Sequence, residues 1–217
     1  MTQPDPHNGQ PLVTAGVPLG ESPAVMIMVH GRNAAPKNIL DLVPRLGRDD
    51  VAYLAPAAAG NTWYPYSFMA DTAKNEPGLS SGLGVIERVV QDVVARGVSR
   101  SRIVLLGFSQ GACLASEFTV RHAARYGGLI AFSGGLIGPP GTTWNHPASF
   151  DGTPMFLGSA DPDAHVPPER VQESARVFDA MGASVTLRIY PGMGHTVSDE
   201  EIVFAQKILD AARNTNE

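Results

Sequence analysis

A serine sits between two glycines in Gly107-Phe108-Ser109-Gln110-Gly111, directly after the apolar run Ile103-Val104-Leu105-Leu106 and before a helix-forming stretch, 110–126. Few folds accommodate this arrangement. A short, continuously apolar run reads as a strand buried on both faces, and a strand that turns straight into a helix belongs to a parallel α/β sheet. So sharp a turn forces strained dihedrals on Ser109, and glycines stand where side chains at 107 and 111 would collide with neighbouring backbone. The strain lifts the hydroxyl above the sheet edge, and the helix N-terminus beneath it favours developing negative charge. This is the nucleophile elbow, and it points to a serine hydrolase.

The rest of the chain repeats the same alternation. Apolar runs at 25–30, 51–55, 102–108, 129–133, 155–158 and 185–190 make about six core strands, with helical stretches at 39–47, 81–96, 110–126, 168–181 and 199–213. Strand and helix in alternation predict an α/β class with a mostly parallel central sheet of six to seven strands and helices on both faces. Residues 12–14 are a candidate antiparallel edge strand. Two connections, 57–79 and 134–152, are too long for plain loops. The first carries Trp63, Tyr64, Tyr66, Phe68 and Met69, and the second Leu136, Ile137 and Trp144. Both leave the C-terminal ends of strands, where open α/β sheets bind ligands, so they are expected to wall an apolar pocket lined by Trp63, Phe68 and Leu136.

Composition narrows the setting. A chain of 217 residues fits one domain, 1–217, with a polar tail over about residues 1–10. A net charge of −5 argues against nucleic acid as the main partner, and the one loose basic cluster, Arg96, Arg100 and Arg102, reads as a solvated helix end. The single cysteine, Cys113, lies one helical turn after Ser109 and reads as a core residue in a reducing compartment. No apolar run approaches a membrane span, and the polar start lacks a signal-peptide core, so a soluble cytoplasmic protein is expected. A homodimer is compatible with these features.

A serine hydroxyl needs a general base, and after a nucleophile elbow the acid and then the histidine follow in the chain. Of six histidines, His7 falls in the tail, His122 lies in a helix, and His165 lies within the acidic loop. His30 and His146 precede or fall short of an acidic partner in this order. His195 remains, in the glycine-rich loop 191–196 after the last strand. The acid belongs in the loop after 155–158, where Asp161 and Asp163 compete, and spacing does not choose between them. Two backbone N–H groups must meet the developing oxyanion: that of Gln110, and that of Arg32 in the loop His30-Gly31-Arg32, where Gly31 would permit the tight turn.

These residues together resemble the phospholipase/carboxylesterase family of α/β hydrolases. The resemblance rests on Val29-His30-Gly31, Gly107-Phe108-Ser109-Gln110-Gly111, Asp163-Ala164-His165-Val166-Pro167 and Gly194-His195, and it runs nearly end to end. It implies the α/β-hydrolase fold, and its D-x-x-V-P pattern implies Asp163 as the acid. The segment Trp63-Tyr64-Pro65-Tyr66-Ser67-Phe68 is similar to the bacterial branch, where it lies near the substrate pocket. The thioesterase branch continues its His-Gly with an apolar residue, then Gly and Asp. Here Arg32-Asn33-Ala34 follows, which favours a small-ester hydrolase.

The expected activity is therefore hydrolysis of small to medium carboxylic esters through an acyl-enzyme on Ser109, with His195, Asp163 and the N–H groups of Arg32 and Gln110. It needs a small-molecule ester as partner and no cofactor. Thioester or lysophospholipid hydrolysis is the alternative within the same machinery. Outside it stand a non-catalytic ligand-binding module and a metal-dependent hydrolase, for which His165 with Asp161 and Asp163 is the one candidate cluster; the preferred reading holds no metal.

Overall fold

The computed structural model describes residues 4–144 and 147–215, so His146 lies outside the described residues. The strands are β1 (Leu12–Gly16), β2 (Val25–Val29), β3 (Ala52–Pro56), β4 (Ile103–Phe108), β5 (Gly128–Phe132), β6 (Pro154–Asp161) and β7 (Ser184–Pro191). They form one sheet in the order β1-β3-β2-β4-β5-β6-β7. Only β1 runs antiparallel, pairing Leu12 with Pro56 through to Gly16 with Ala52; its neighbours pair in parallel. The helices are α1 (Pro36–Leu40), α2 (Val43–Leu46), α3 (Gly78–Ala95), α4 (Gln110–Arg121), α5 (Pro168–Ala180) and α6 (Asp199–Arg213).

The continuous apolar runs follow from helices on both faces. On one face Ile27, Leu105, Leu129 and Leu157 pack with Ile86 of α3, Leu114 of α4 and Phe178 of α5. On the other, Met28, Leu106, Ile130 and Phe156 pack with Leu46 of α2 and with Ile202 and Leu209 of α6. Successive residues of each strand thus serve opposite cores, and neither parity can turn polar. Among the described residues, no helix is long and apolar enough to cross a membrane.

Several boundaries differ from the sequence expectation, each for a physical reason. The stretch 39–47 is two short helices, because Pro44 has no N–H to continue the first. Helix α4 stops at Arg121 rather than 126. Tyr126 instead turns into the core, its N–H donating to Thr153 Oγ1 (3.0 Å) and its hydroxyl to the His122 carbonyl (3.2 Å). Strand β6 runs three residues beyond 158 and stays paired with β7 to Asp161↔Pro191. The loops that follow these two strands therefore start side by side.

Within the polar start, residue 7 is held against the body of the fold. His7 is buried: its backbone N–H donates to Ser81 Oγ (2.9 Å), Nε2 bonds the Trp63 carbonyl (2.8 Å), and Nδ1 accepts from the Ala59 N–H (3.0 Å). An Ala59 donor requires Nδ1 to be the acceptor, so Nε2 carries the proton. His7→Ala would strip partners from two backbone groups around Trp63. It is expected to lower unfolding stability by about 2 kcal/mol in urea titration with an unchanged m-value.

Candidate active site

Ser109 stands between β4 and α4 with φ 55° and ψ −121°, a left-handed conformation rare for a residue with a side chain. Its N–H donates to the Phe132 carbonyl of β5 (2.9 Å), and its carbonyl accepts from the Cys113 N–H (3.0 Å). A β-carbon on Gly107 would sit 2.5 Å from the Ala112 nitrogen. One on Gly111 would sit 2.5 Å from the His30 carbonyl oxygen and strike that of Val29. Both glycines are thus required by backbone contact.

The loop 192–195 opens at Gly192 (φ 72°), whose N–H donates to the Asp161 carbonyl (2.9 Å) and so ties it to the loop after β6. It delivers His195 with Nδ1 2.7 Å from Asp163 Oδ2 and Nε2 2.9 Å from Ser109 Oγ. An ionised carboxylate only accepts, so Nδ1 carries the ring proton and Nε2 is left to accept from the serine. The rings of Phe108 and His165 flank the imidazole at 5.0 and 4.8 Å between centroids.

Between the two aspartates, local backbone geometry makes the distinction. Asp163 Oδ1 accepts the N–H groups of His165 (2.8 Å) and Val166 (3.0 Å), while Oδ2 meets His195, and the side chain is fully buried. The Asp161 side chain is exposed, and its contribution is the carbonyl that holds Gly192. Burial alone would raise the Asp163 pKa, but the hydrogen bonds from His195, His165 and Val166 outweigh it and hold the carboxyl below the ordinary value of 3.8. Among the described residues, no three His, Cys, Asp or Glu side chains gather as metal ligands.

The loop after β2 lies against the elbow, with a β-carbon on Gly31 falling 3.5 Å from Ser109 Cβ. Its left-handed residue is Asn33 (φ 59°) rather than Gly31, which corrects the expected place of the turn. Among the described residues, the N–H groups of Arg32 and Gln110 find no acceptor in the protein. The buried His30 secures this loop: Nε2 accepts from the Ala58 N–H (3.1 Å), so Nδ1 donates to the Gly31 carbonyl (2.8 Å). Burial lowers the His30 pKa and keeps the ring neutral.

The cleft over Ser109 holds about 580 Å³, with Tyr64, Phe68 and Cys113 on its apolar side. Phe68 is where the sequence expects it. Trp63 and Leu136 are not: both are fully buried and neither lines the cleft. Trp63 is a core post, its Nε1 donating to the His30 carbonyl (2.9 Å). Leu136 is walled in by its N–H bond to Ser174 Oγ (2.9 Å) and by Arg170 on its carbonyl (3.0 Å). Burial pushes the Cys113 thiol up to about 12, so it is no thiolate at neutral pH. A larger groove of about 780 Å³ runs past Trp144 along α5, lined by none of these reacting groups.

Sequence reasoning missed the side chains that brace the site. Gln110 Oε1 accepts the Trp63 N–H (3.0 Å) and Nε2 donates to the Tyr64 carbonyl (2.8 Å), so the residue after Ser109 also anchors the aromatic wall. Arg32 donates to the carbonyls of Pro65 (2.8 Å) and Tyr66 (2.6 Å), with its guanidinium 5.9 Å from the Tyr64 ring centre. The partners lie more than thirty positions away in sequence, and no local pattern announces them.

Comparisons with known proteins bear on the family. A family model described as phospholipase/carboxylesterase matches residues 18–213. Acyl-protein thioesterase 1 of Eremothecium gossypii is 28% identical over 73% of this chain and 69% of its own length. A probable carboxylesterase of Oryza sativa subsp. japonica is 29% identical over 65% of this chain and 60% of its own. Among solved structures, a phospholipase/carboxylesterase from Dyadobacter fermentans is 42% identical with a TM-score of 0.89, covering 93% of this chain and 97% of that one. The Bacillus cereus carboxylesterase shares the fold at 18% identity and a TM-score of 0.74, covering 94% and 95%.

Two expectations follow for the aspartates. Asp163→Asn should lower kcat by about 10³–10⁴-fold, since an amide can no longer hold the productive tautomer, whereas Asp161→Asn should stay within about threefold of wild type in ester kinetics. Because the Asp163 pKa is depressed on folding, its stabilisation is fully present above 3.8 and is lost as pH falls through the lower folded-state value. Asp163→Asn should therefore flatten the acid-side fall of Tm, read in melts at a series of pH values below the ordinary carboxyl range.

Proposed function

Because the chain belongs to the phospholipase/carboxylesterase family of α/β hydrolases and is an ester hydrolase by that membership, we propose that it cleaves small to medium carboxylic esters through an acyl-enzyme on Ser109. The observation that carries the reading is the unbroken chain from Ser109 Oγ through the His195 ring to Asp163, at 2.9 and 2.7 Å.

Ser109 Oγ attacks the ester carbonyl carbon as its proton passes to His195 Nε2, leaving an imidazolium beside ionised Asp163. The N–H groups of Arg32 and Gln110 donate to the tetrahedral oxyanion. Collapse breaks the bond to the alcohol oxygen, which takes the proton from Nε2 and departs. A water then attacks the acyl group and passes its proton to Nε2. The acyl–Oγ bond breaks, Oγ recovers the proton, and the carboxylic acid leaves. Tyr64 and Phe68 are the apolar wall for the substrate. Cys113 takes no part, since its thiol stays protonated.

Thioesters are the second reading, supported by the similarity to acyl-protein thioesterase 1. Ser109→Ala removes the attacking atom while leaving the elbow backbone intact. It is expected to cut turnover of p-nitrophenyl butyrate to background, at least about 10⁴-fold, with an unchanged circular dichroism spectrum and melt. Retained turnover by a folded variant would overturn the mechanism. Paired butyryl ester and butyryl thioester assays on the wild type rank the two substrate classes.

A further inference from the structure

Resting on the ester-hydrolase reading above, we infer that the cleft selects esters that themselves carry a carboxylate a few atoms from the scissile carbonyl. The chain as a whole is acidic, with a net charge of −5. Its cleft departs from that balance. Among the described residues that line it are Arg32, His165 and His195, and no aspartate or glutamate. The Asp163 carboxylate lies behind the His195 ring, fully buried and committed to three hydrogen bonds, so it does not face a ligand.

Arg32 supplies the fixed charge. Its partners are two neutral carbonyls, those of Pro65 and Tyr66, and the face of Tyr64. None of these cancels a positive charge, and among the described residues Arg32 enters no ion pair. The two carbonyl bonds also hold the guanidinium in place on the cleft wall. A charge held without a counter-ion attracts an anion with little reorganisation, and guanidinium still has N–H donors in a planar fork that suits a carboxylate. The Arg32 side chain is also exposed, as a charge that meets a ligand must be.

The test compares three acyl groups of similar length as methyl esters under a pH-stat: methyl hexanoate, monomethyl adipate and methyl 6-aminohexanoate. The butyryl esters of 1-butanol and 4-hydroxybutanoate put the same contrast on the alcohol side. The anionic member of at least one pair should exceed its neutral partner by about tenfold in kcat/KM, with the cationic ester below both. Raising ionic strength from about 0.02 to 0.5 M should erode the anionic preference while leaving the neutral ester unchanged. Arg32→Gln should bring the anionic-to-neutral ratio to about one, whatever it does to the neutral ester. Equal kcat/KM values in both pairs, or a ratio that survives Arg32→Gln, would refute the selectivity while leaving the hydrolase reading standing. Failure of wild type on every ester would refute that reading instead.

Discussion

The close backbone packing at the elbow is the constraint on which the rest of the structure depends. Ser109 is held in a left-handed conformation that costs a side-chain-bearing residue on the order of 1–3 kcal/mol. The surroundings offset that cost: the Ser109 N–H bonds to β5, its carbonyl starts α4, and Gly111 lets the first turn of α4 press on the end of β2. Three adjacent strands and one helix are therefore positioned by a single turn. The contact that brings Val29 and His30 against Gly111 also sets Gly31 beside Ser109, so the elbow and the loop after β2 are fixed by the same packing.

A set of buried polar side chains turns the long connections into walls. His30, His7 and Gln110 converge on Trp63 and its neighbours, meeting backbone groups that would otherwise lie unpaired in the core. On the second connection Arg170 bonds the carbonyls of Leu136 and Gly138, while Glu117 accepts from the Ile137 N–H and the Trp144 indole. An irregular segment has no ladder to satisfy its backbone, so side chains must do it. The aromatics expected to touch substrate were therefore divided: Phe68 faces the cleft, and Trp63 and Leu136 became the posts behind it.

The electrostatics of the site come from the same local geometry. Asp163 and Cys113 both lose contact with water, yet their pKa values move in opposite directions relative to the charge each can hold. The carboxylate collects three donors and stays ionised; the thiol, dominated by burial, stays neutral. Of Ser109 and Cys113, which both line the cleft, Ser109 is the one that meets the imidazole of His195.

Much of this was legible in the chain itself, because the signals are local. The core strands show as apolar runs since both faces of a covered parallel sheet exclude water. Helix α6 spans the expected 199–213 because Ser198 and Glu201 form a capping box at its start. The glycines around Ser109, and the order of serine, acid and histidine, likewise need only neighbours in sequence or chain order. Tertiary structure decided what depends on partners distant along the chain: which aromatic faces the cleft, and that His7 is buried. The left-handed turn fell to Asn33 although Gly31 was available, and Arg32 gained a clamp on carbonyls at 65 and 66. The physical reason is that apolar periodicity and steric limits act between near neighbours. A buried hydrogen bond is decided only when the folded chain presents a donor to an acceptor.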